Sequence, residues 1–410
     1  MNAASLADPA AYKNPDKVRS LLKTLRDTAP ISFVSPSGYR PFWAISKYKD
    51  IRYVESNPLI FSAEPRTVLV KEDLEKENFE RFGNIHGVKT LVHMDGEQHR
   101  KLRNVTSSWF MPKNIALLKG KVDIIASDFV DRLNRFNGEC DFAADFAFWY
   151  PLRVILQLIG VPECDEPKIL RLTQQLFAPE SFVNKDQNVA AIFGETVDEM
   201  VEYFTALAAL RRSIPRNDIA TVIANAEIDG EAMDPFTLTS YFVILATAGH
   251  DTTSASLAGG LHALIQNPDQ HQLLLNNPDL YPKFIDETIR WTSPVKHFLR
   301  TALVDTEISG VSIAKGDSLA LFFESGNRDE EYFQDPDRFD ISRVNNRHIA
   351  FGFGRHNCLG LHLSKMELLS IFRRIVPIMD KLELTSEPKY IESNFVSGLS
   401  SLPIRYILTS

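Results

Sequence analysis

The sequence predicts a mainly α-helical protein with small β-sheets, built as one unit over residues 1–410. Three observations lead there. From about Asp95 to Ile285 apolar residues recur at helical spacing, with Pro112, Pro162, Pro179, Pro215 and Pro235 punctuating successive helices. Alternating runs of strand type are short and lie toward the two ends. No Pro/Gly/Ser-rich linker, low-complexity tract, long charge run or internal repeat divides a chain whose length alone would suggest two or three domains.

In chain order, Ile31–Val34 and Phe42–Ile45 flank Ser37-Gly38 and read as a hairpin. Asp95-Gly-Glu-Gln98 has the spacing of a capping box and opens a helix through Arg103. Leu238–Ile265 is a long, apolar helical stretch broken only by the polar cluster Gly249-His-Asp-Thr-Thr253. Asn277-Pro-Asp leads into a helix through Trp291 that must stop before Pro294. Thr306–Leu321, with Ser309-Gly310 and Lys315-Gly316, reads as a small sheet, and Lys381–Thr385 with Pro403–Leu408 as a final strand pair.

Composition narrows the function. Apolar residues at 44% and charged residues at 24% describe a globular protein with an ample core. The 27 phenylalanines suit walls around something large and apolar. A net charge of −8 argues against a nucleic-acid partner. Three cysteines without framework spacing point to a reducing compartment. Met1 to Arg19 has no apolar signal core, and no run reaches the roughly 18 apolar residues of a membrane span, so a cytoplasmic protein with no membrane partner is expected.

The most informative run is Phe351-Gly-Phe-Gly-Arg-His-Asn-Cys-Leu-Gly360, which sets Cys358 on a glycine-hinged loop before a helix expected from Leu359. Helix N-terminal amides favour a thiolate over a thiol. Gly354 and Gly360 leave room for a flat group, and a thiolate beneath a flat cavity suits haem iron when O–O bonds are to be split. Taken alone, a buried core cysteine beside a turn reads the same way. In the polar cluster, Gly249 and Thr252 share a helix face. A missing side chain and a hydroxyl competing for a backbone carbonyl would open a notch there, although a Thr-rich kink in a buried helix would look alike.

The cysteine run resembles the haem-binding signature of the cytochromes P-450, Phe-x-x-Gly-x-x-x-Cys-x-Gly, at every fixed position. Ala248-Gly-His-Asp-Thr252 is similar to that family's (Ala/Gly)-Gly-x-(Asp/Glu)-Thr, and Glu287-Thr-Ile-Arg290 to its Glu-x-x-Arg pair. The likeness is dense from Asp95 through Glu367 and looser at both ends. It implies the cytochrome P-450 fold, with haem b (iron protoporphyrin IX) between a long oxygen-side helix and the cysteine-loop helix. Cys358 would ligate the iron, and Phe351 and Gly249 would lie against the cofactor. His99, Arg103, Arg300 and His356 would hold its two carboxylates. Asp251 would relay protons and Thr252 would hydrogen-bond dioxygen, while His250 at the variable position is expected to face solvent. Glu287, Arg290 and Arg343 would be structural, Arg343 coming from the meander Pro336–Arg343.

Among family members the chain resembles the soluble bacterial type that draws electrons from a ferredoxin and its NAD(P)H-dependent reductase. Trp109-Phe-Met-Pro112, Asn137-Gly-Glu-Cys-Asp-Phe142, Ala246–Thr253, Arg290-Trp-Thr292 and Asn327–Glu331 resemble the terpineol-hydroxylating subgroup. Walls of the substrate pocket would be Val243, Ile244, Thr247, Ala248, Val295, Phe298 and Val396, with Leu176, Phe177 and Phe395. An apolar set of this kind suits a small hydrophobic substrate, a terpenoid or alkyl-aromatic. Arg100, Lys101, Arg103, Lys113, Arg355 and Lys365 would gather as a basic patch for an acidic ferredoxin. The reading is a monomeric haem-thiolate monooxygenase. A peroxide-driven variant, or a haem-thiolate protein that binds ligands or carries electrons without oxygenating, would have no use for the Asp251–Thr252 pair. Cys358 as a nucleophile with His356 as base is disfavoured by their i, i+2 spacing.

Overall fold

The computed structural model describes residues 2–177 and 189–409. It is mainly helical with small sheets, as the sequence predicts. Ile31–Val34 and Phe42–Ile45 do pair as a hairpin, Ile31 opposite Ile45. Phe42–Ile45 then runs parallel to Ser318–Phe322, which pairs antiparallel with His297–Ala302, and Phe61–Ser62 closes that five-stranded sheet. Thr306–Ile308 and Val311–Ile313 form their own hairpin, turning through Ser309 and Gly310, both at positive φ. Met379–Leu384 pairs with Pro403–Leu408, and Glu139–Asp141 adds a third strand.

The helices meet in one large apolar cluster. Leu361–Ile375 packs on Pro112–Arg135, and Asp251–Gln266 packs on Tyr281–Thr292. Several helices take their start from the local sequence. Pro112, Pro235 and Pro268 occupy first-turn positions, where a missing N–H costs nothing. Asp234 caps its helix by accepting from the Thr237 N–H at 3.0 Å. One window, Phe142–Ile159, is long and apolar enough by composition to cross a membrane, but 67% of it is buried inside the protein. The window carries Asp145 and Arg153, so it is not an uninterrupted apolar run, and it serves as part of the core.

Two expected boundaries move. The stretch Leu238–Ile265 is two helices, Pro235–Ala248 and Asp251–Gln266, with a break at Gly249-His250. The helix after the cysteine begins at Leu361 rather than Leu359, because Gly360 is its N-cap. The capping box at Asp95 does not form: the helix Gly96–Ser107 has no side-chain cap. The Asp95 carboxylate instead accepts from Ser62 Oγ and the Ala63 N–H, both at 2.6 Å.

The long connection between the sheet and the cysteine loop is held by one carboxylate. Glu287 is fully buried and accepts from Arg290 Nε and Nη2, both at 2.8 Å, and from Arg343 Nε at 3.1 Å. The Asp340 N–H and Asn346 Nδ2 complete it at 2.9 and 3.1 Å. Arg290 Nη1 in turn donates to the carbonyls of Asn327 and Pro336, each at 2.9 Å. The pair thus ties a helix to Asn327, Pro336, Asp340, Arg343 and Asn346, in a chain segment that has little regular structure of its own. Removing one member leaves buried cations without a counter-charge, a loss of about 3–5 kcal/mol. Glu287→Ala should therefore give little soluble protein and a sharply lowered unfolding midpoint in urea. A folded Glu287→Ala protein of ordinary stability would contradict this account.

Candidate active site

Phe351–Gly360 curls back on itself, the Cys358 N–H donating to the Phe351 carbonyl at 2.9 Å. Gly354 sits at φ +72°, and a Cβ there would lie 2.5 Å from the Glu55 carbonyl oxygen. Its lack of a side chain therefore serves the approach of the loop to the helix Tyr48–Ser56, not the room for a flat group expected from the sequence. At Gly360 a Cβ would stand 4.0 Å from Cys358 Sγ, an ordinary contact, so a side chain there would reach the sulfur without colliding with it. Surrounded by protein, the sulfur is nonetheless accessible because it opens into a cavity of about 210 Å³. Burial raises the thiol pKa, opposed by the Gly360 and Leu361 amides and by Arg103.

His99, Arg103, Arg300, His356, Phe351 and Gly249 all line this same cavity. Their donors are partly committed. Arg103 Nη2 donates to the Asn357 carbonyl at 2.7 Å, and His356 Nε2 lies 2.9 Å from Asp95 Oδ1. Burial would raise the Asp95 pKa, but His356, Ser62 and the Ala63 N–H outweigh it and hold the carboxyl well below its usual range. The His99 ring stacks on His356 at 4.3 Å, and burial, then His356 and Arg103, push its pKa down to about 4. His99 is therefore a neutral hydrogen-bonding group rather than a cation at pH 7.

Sequence reasoning missed two acids on this cavity. Glu55 Oε1 lies 3.4 Å from Arg300 Nη2, while its Oε2 is buried without a partner among the described residues. Burial pushes its pKa up to about 7 against the pull of Arg300. Glu367 is fully buried, neither oxygen has a partner among the described residues, and burial raises its pKa well above normal. Neither residue belongs to a motif, so no sequence signal marked them. The donor set fits a haem: an accessible sulfur at a helix start, two arginines and two imidazoles around one cavity, and otherwise largely apolar walls.

Opposite the sulfur stands the broken helix. Thr252 Oγ1 donates to the Ala248 carbonyl at 3.3 Å, the competition for a carbonyl expected from the sequence. A Cβ on Gly249 would collide with Ile155 Cγ1 and stand 2.7 Å from the Leu245 carbonyl oxygen, so helix packing demands this glycine. His250 corrects an expectation: it is fully buried instead of facing solvent. Its Nδ1 lies 2.9 Å from the Ala246 carbonyl, its Nε2 2.9 Å from Asp251 Oδ1 and 3.3 Å from Thr173 Oγ1. A neutral imidazole carries one N–H, yet both nitrogens face acceptors, a setting that favours the doubly protonated ring. Burial disfavours charge on the ring, but Asp251 outweighs it and raises the His250 pKa.

A second cavity, about 420 Å³, meets the first along Ile244, Ala248, Thr252, Val295 and Phe298. Val243, Thr247, Val396, Leu176 and Phe395 also line it, while the Phe177 side chain, like Pro179, lies outside the described residues. An isolated bridge pairs Val295 with Val396, and the Lys296 N–H donates to the Phe395 carbonyl at 2.8 Å, which fixes this wall. The Thr247 hydroxyl is already spent on the Val243 carbonyl at 2.8 Å. The expected basic patch is largely neutralised. Lys101 pairs with Asp229 and Glu97, Arg100 with Glu97, Lys365 with Asp286, and Arg103 turns inward, leaving Lys113 and Arg355 without an ion pair among the described residues.

The family model for Cytochrome P450 matches residues 65–377. Cytochrome P450-terp of Pseudomonas sp is 40% identical over 97% of this chain and 95% of its own length. The methyl-branched lipid omega-hydroxylase of Mycobacterium bovis is 32% identical over 93% and 90%. The crystal structure of CYP108D1 from Novosphingobium aromaticivorans superposes with a TM-score of 0.92 at 41% identity, both chains being wholly covered. Mycobacterium marinum CYP268A2 in complex with pseudoionone superposes at 0.89 with 28% identity over 99% and 97% of the two chains. A family model that spans most of the chain and a relative at 40% identity over nearly its whole length agree: the chain belongs to the cytochrome P450 family and is one of its monooxygenases.

Proposed function

We propose that this monooxygenase hydroxylates a compact apolar molecule, a terpenoid or alkyl-aromatic, with electrons from a ferredoxin and its NAD(P)H-dependent reductase. It would act as a single-domain monomer in the cytoplasm. One observation carries the substrate reading: the larger cavity is walled by Val243, Ile244, Ala248, Val295, Phe298 and Val396, and reaches Thr252. Burying a ten-carbon skeleton at about 25 cal/mol per Å² is enough for micromolar-scale binding after association costs. The similarity to Cytochrome P450-terp supports the same choice.

Haem b, when bound, supplies the dioxygen chemistry. Cys358 would be its protein ligand, and coordination to a metal cation would deprotonate a thiol that burial otherwise keeps protonated. Arg103 and Arg300 would pair with its carboxylates, His99 and His356 would hydrogen-bond them, and Phe351 and Gly249 would lie against its faces. The proton-handling groups are Asp251 and Thr252. Asp251 Oδ1 lies 2.9 Å from His250 Nε2, while Oδ2 is buried with no partner among the described residues. Swinging that carboxyl toward Thr252 would bring a proton to the cavity without opening it to bulk water. The Thr252 hydroxyl, loosely held by the Ala248 carbonyl, is free to turn and pass it on. Of the basic residues expected to form a patch, Lys113 and Arg355 remain as charges available to an acidic partner.

The haem-loaded protein, reduced under carbon monoxide, should show the red-shifted Soret band of thiolate ligation. Cys358→Ser should lose that band while Cys140→Ser and Cys164→Ser keep it; a thiolate spectrum surviving in Cys358→Ser refutes the ligand assignment. Thr252→Ala should still consume NADH through the electron chain but release much of it as hydrogen peroxide, because proton delivery is mistimed. Asp251→Asn should slow turnover about tenfold or more with less loss of coupling, general acid–base steps contributing about 10²–10⁴-fold. Unchanged coupling in Thr252→Ala, measured as product formed per NADH, would remove Thr252 from the path.

A further inference from the structure

One wall of the larger cavity is polar. His86 and His93 both line it, stacked with ring centroids 3.9 Å apart and planes 21° from parallel. Their neighbours fix where each ring carries its proton. The Thr90 backbone N–H donates to His93 Nδ1 at 3.1 Å. A peptide N–H cannot act as an acceptor, so Nδ1 must present its lone pair and the neutral ring carries its proton on Nε2. No described residue accepts from that Nε2. Burial, with His86 and Lys89 beside it, lowers the His93 pKa well below the ordinary value, so the ring stays neutral at pH 7. His86 Nε2 lies 2.7 Å from the Pro65 carbonyl and therefore donates to it, which leaves its Nδ1 as an acceptor. Two residues beyond Pro65, the Thr67 hydroxyl is buried, lines the same cavity and has no partner among the described residues.

Asp251 and Thr252 on this cavity are assigned above to proton handling, and other polar groups are already occupied. Thr247 gives its proton to the Val243 carbonyl, and Asn394 Nδ2 donates to the Ala7 and Leu69 carbonyls. Besides Asp251, which belongs to the broken helix, the charged residues on this cavity are exposed, and Asp73, Glu77 and Glu392 outnumber Lys71, which disfavours a carboxylate. We infer that the substrate carries one alcohol or ketone oxygen on an otherwise apolar skeleton, and that His93 Nε2–H receives it. The inference rests on the compact apolar substrate proposed above and adds its polar group. Water can meet this half-buried donor when no substrate is present, and a ligand that displaces that water without replacing its hydrogen bond loses affinity, so this wall discriminates against the bare hydrocarbon.

The test uses the haem-loaded protein and matched cyclic monoterpenes: an alcohol, a ketone and the hydrocarbon of one skeleton. Binding is read by the ferric spin shift and by calorimetry. The alcohol and the ketone should both bind about three- to tenfold more tightly than the hydrocarbon, the range of one neutral hydrogen bond. His93→Asn keeps an acceptor for the Thr90 N–H but withdraws the donor, so the ratio should fall to about one with hydrocarbon affinity held. His93→Gln, whose amide N–H reaches as far as Nε2, should recover part of the ratio. A ratio of one in the wild-type protein, or an unchanged ratio in His93→Asn, overturns the inference and leaves the apolar substrate standing. Should His93→Asn fail to fold, the wild-type ketone decides: a donor on His93 serves it as well as the alcohol, and a preference for the alcohol alone overturns the assignment. If no member of the series binds, the inference and the apolar-substrate reading fall together.

Discussion

A helix buried on all sides cannot be interrupted unless the freed backbone groups find partners. At the break between Ala248 and Asp251 the partners are side chains: His250 Nδ1 for the Ala246 carbonyl and Thr252 Oγ1 for the Ala248 carbonyl. That exchange positions much of the site. It stops the helix where Gly249 meets Ile155, turns the Asp251 carboxylate toward the His250 ring, and leaves Ala248 and Thr252 as the wall shared by both cavities. A regular helix through the same sequence would keep its apolar packing and lose the junction.

Burial governs the electrostatics on both sides of that junction. The Cys358 thiol, Glu55 and Glu367 are all shifted toward their neutral forms, chiefly by burial, and His99 is held neutral for the same reason. A cavity of this kind is costly for an isolated charge and tolerant of charges that arrive with counter-charges. Arg103 and Arg300 keep donors toward it because each spends only part of its guanidinium on carbonyls or on Glu55. The Asp95–His356 pair stands behind them and fixes one imidazole, so the polar edge is ordered before any ligand is considered.

Features set by neighbours in the chain were legible in the sequence. The Ser37-Gly38 hairpin, the proline-started helices and the helix that stops before Pro294 follow from turn chemistry and a missing N–H, and they lie where those rules put them. The i, i+3 spacing of Glu287 and Arg290 likewise announced a pair on one helix face. What escaped depends on partners far along the chain. Asp95 looked like a cap because its neighbours fit one, but Ser62, Ala63 and His356 offered its carboxylate better donors. His250 looked like a solvent-facing variable position because nothing nearby in sequence reveals Thr173 packed against it. Acids opposite the basic patch, Asp229 and Asp286 among them, were invisible for the same reason.

The same distinction bears on selectivity. Apolar walls such as Val243, Val295 and Val396 attract in proportion to the area they cover, without regard to direction. They hold a rigid hydrocarbon while leaving it free to turn, and a molecule that turns presents several C–H bonds to the junction. Only a directional contact restricts that rotation, and its strength depends on the alternative being an unsatisfied group in a dry cavity. Thr247 cannot supply one with its proton, because a hydroxyl on a helix satisfies itself on the carbonyl one turn back. A group off the helix, whose own backbone contact forces its proton outward, can. Under the proposed function, orientation in this cavity would come from the short turn that carries Thr90 and His93, and the place of reaction from the broken helix.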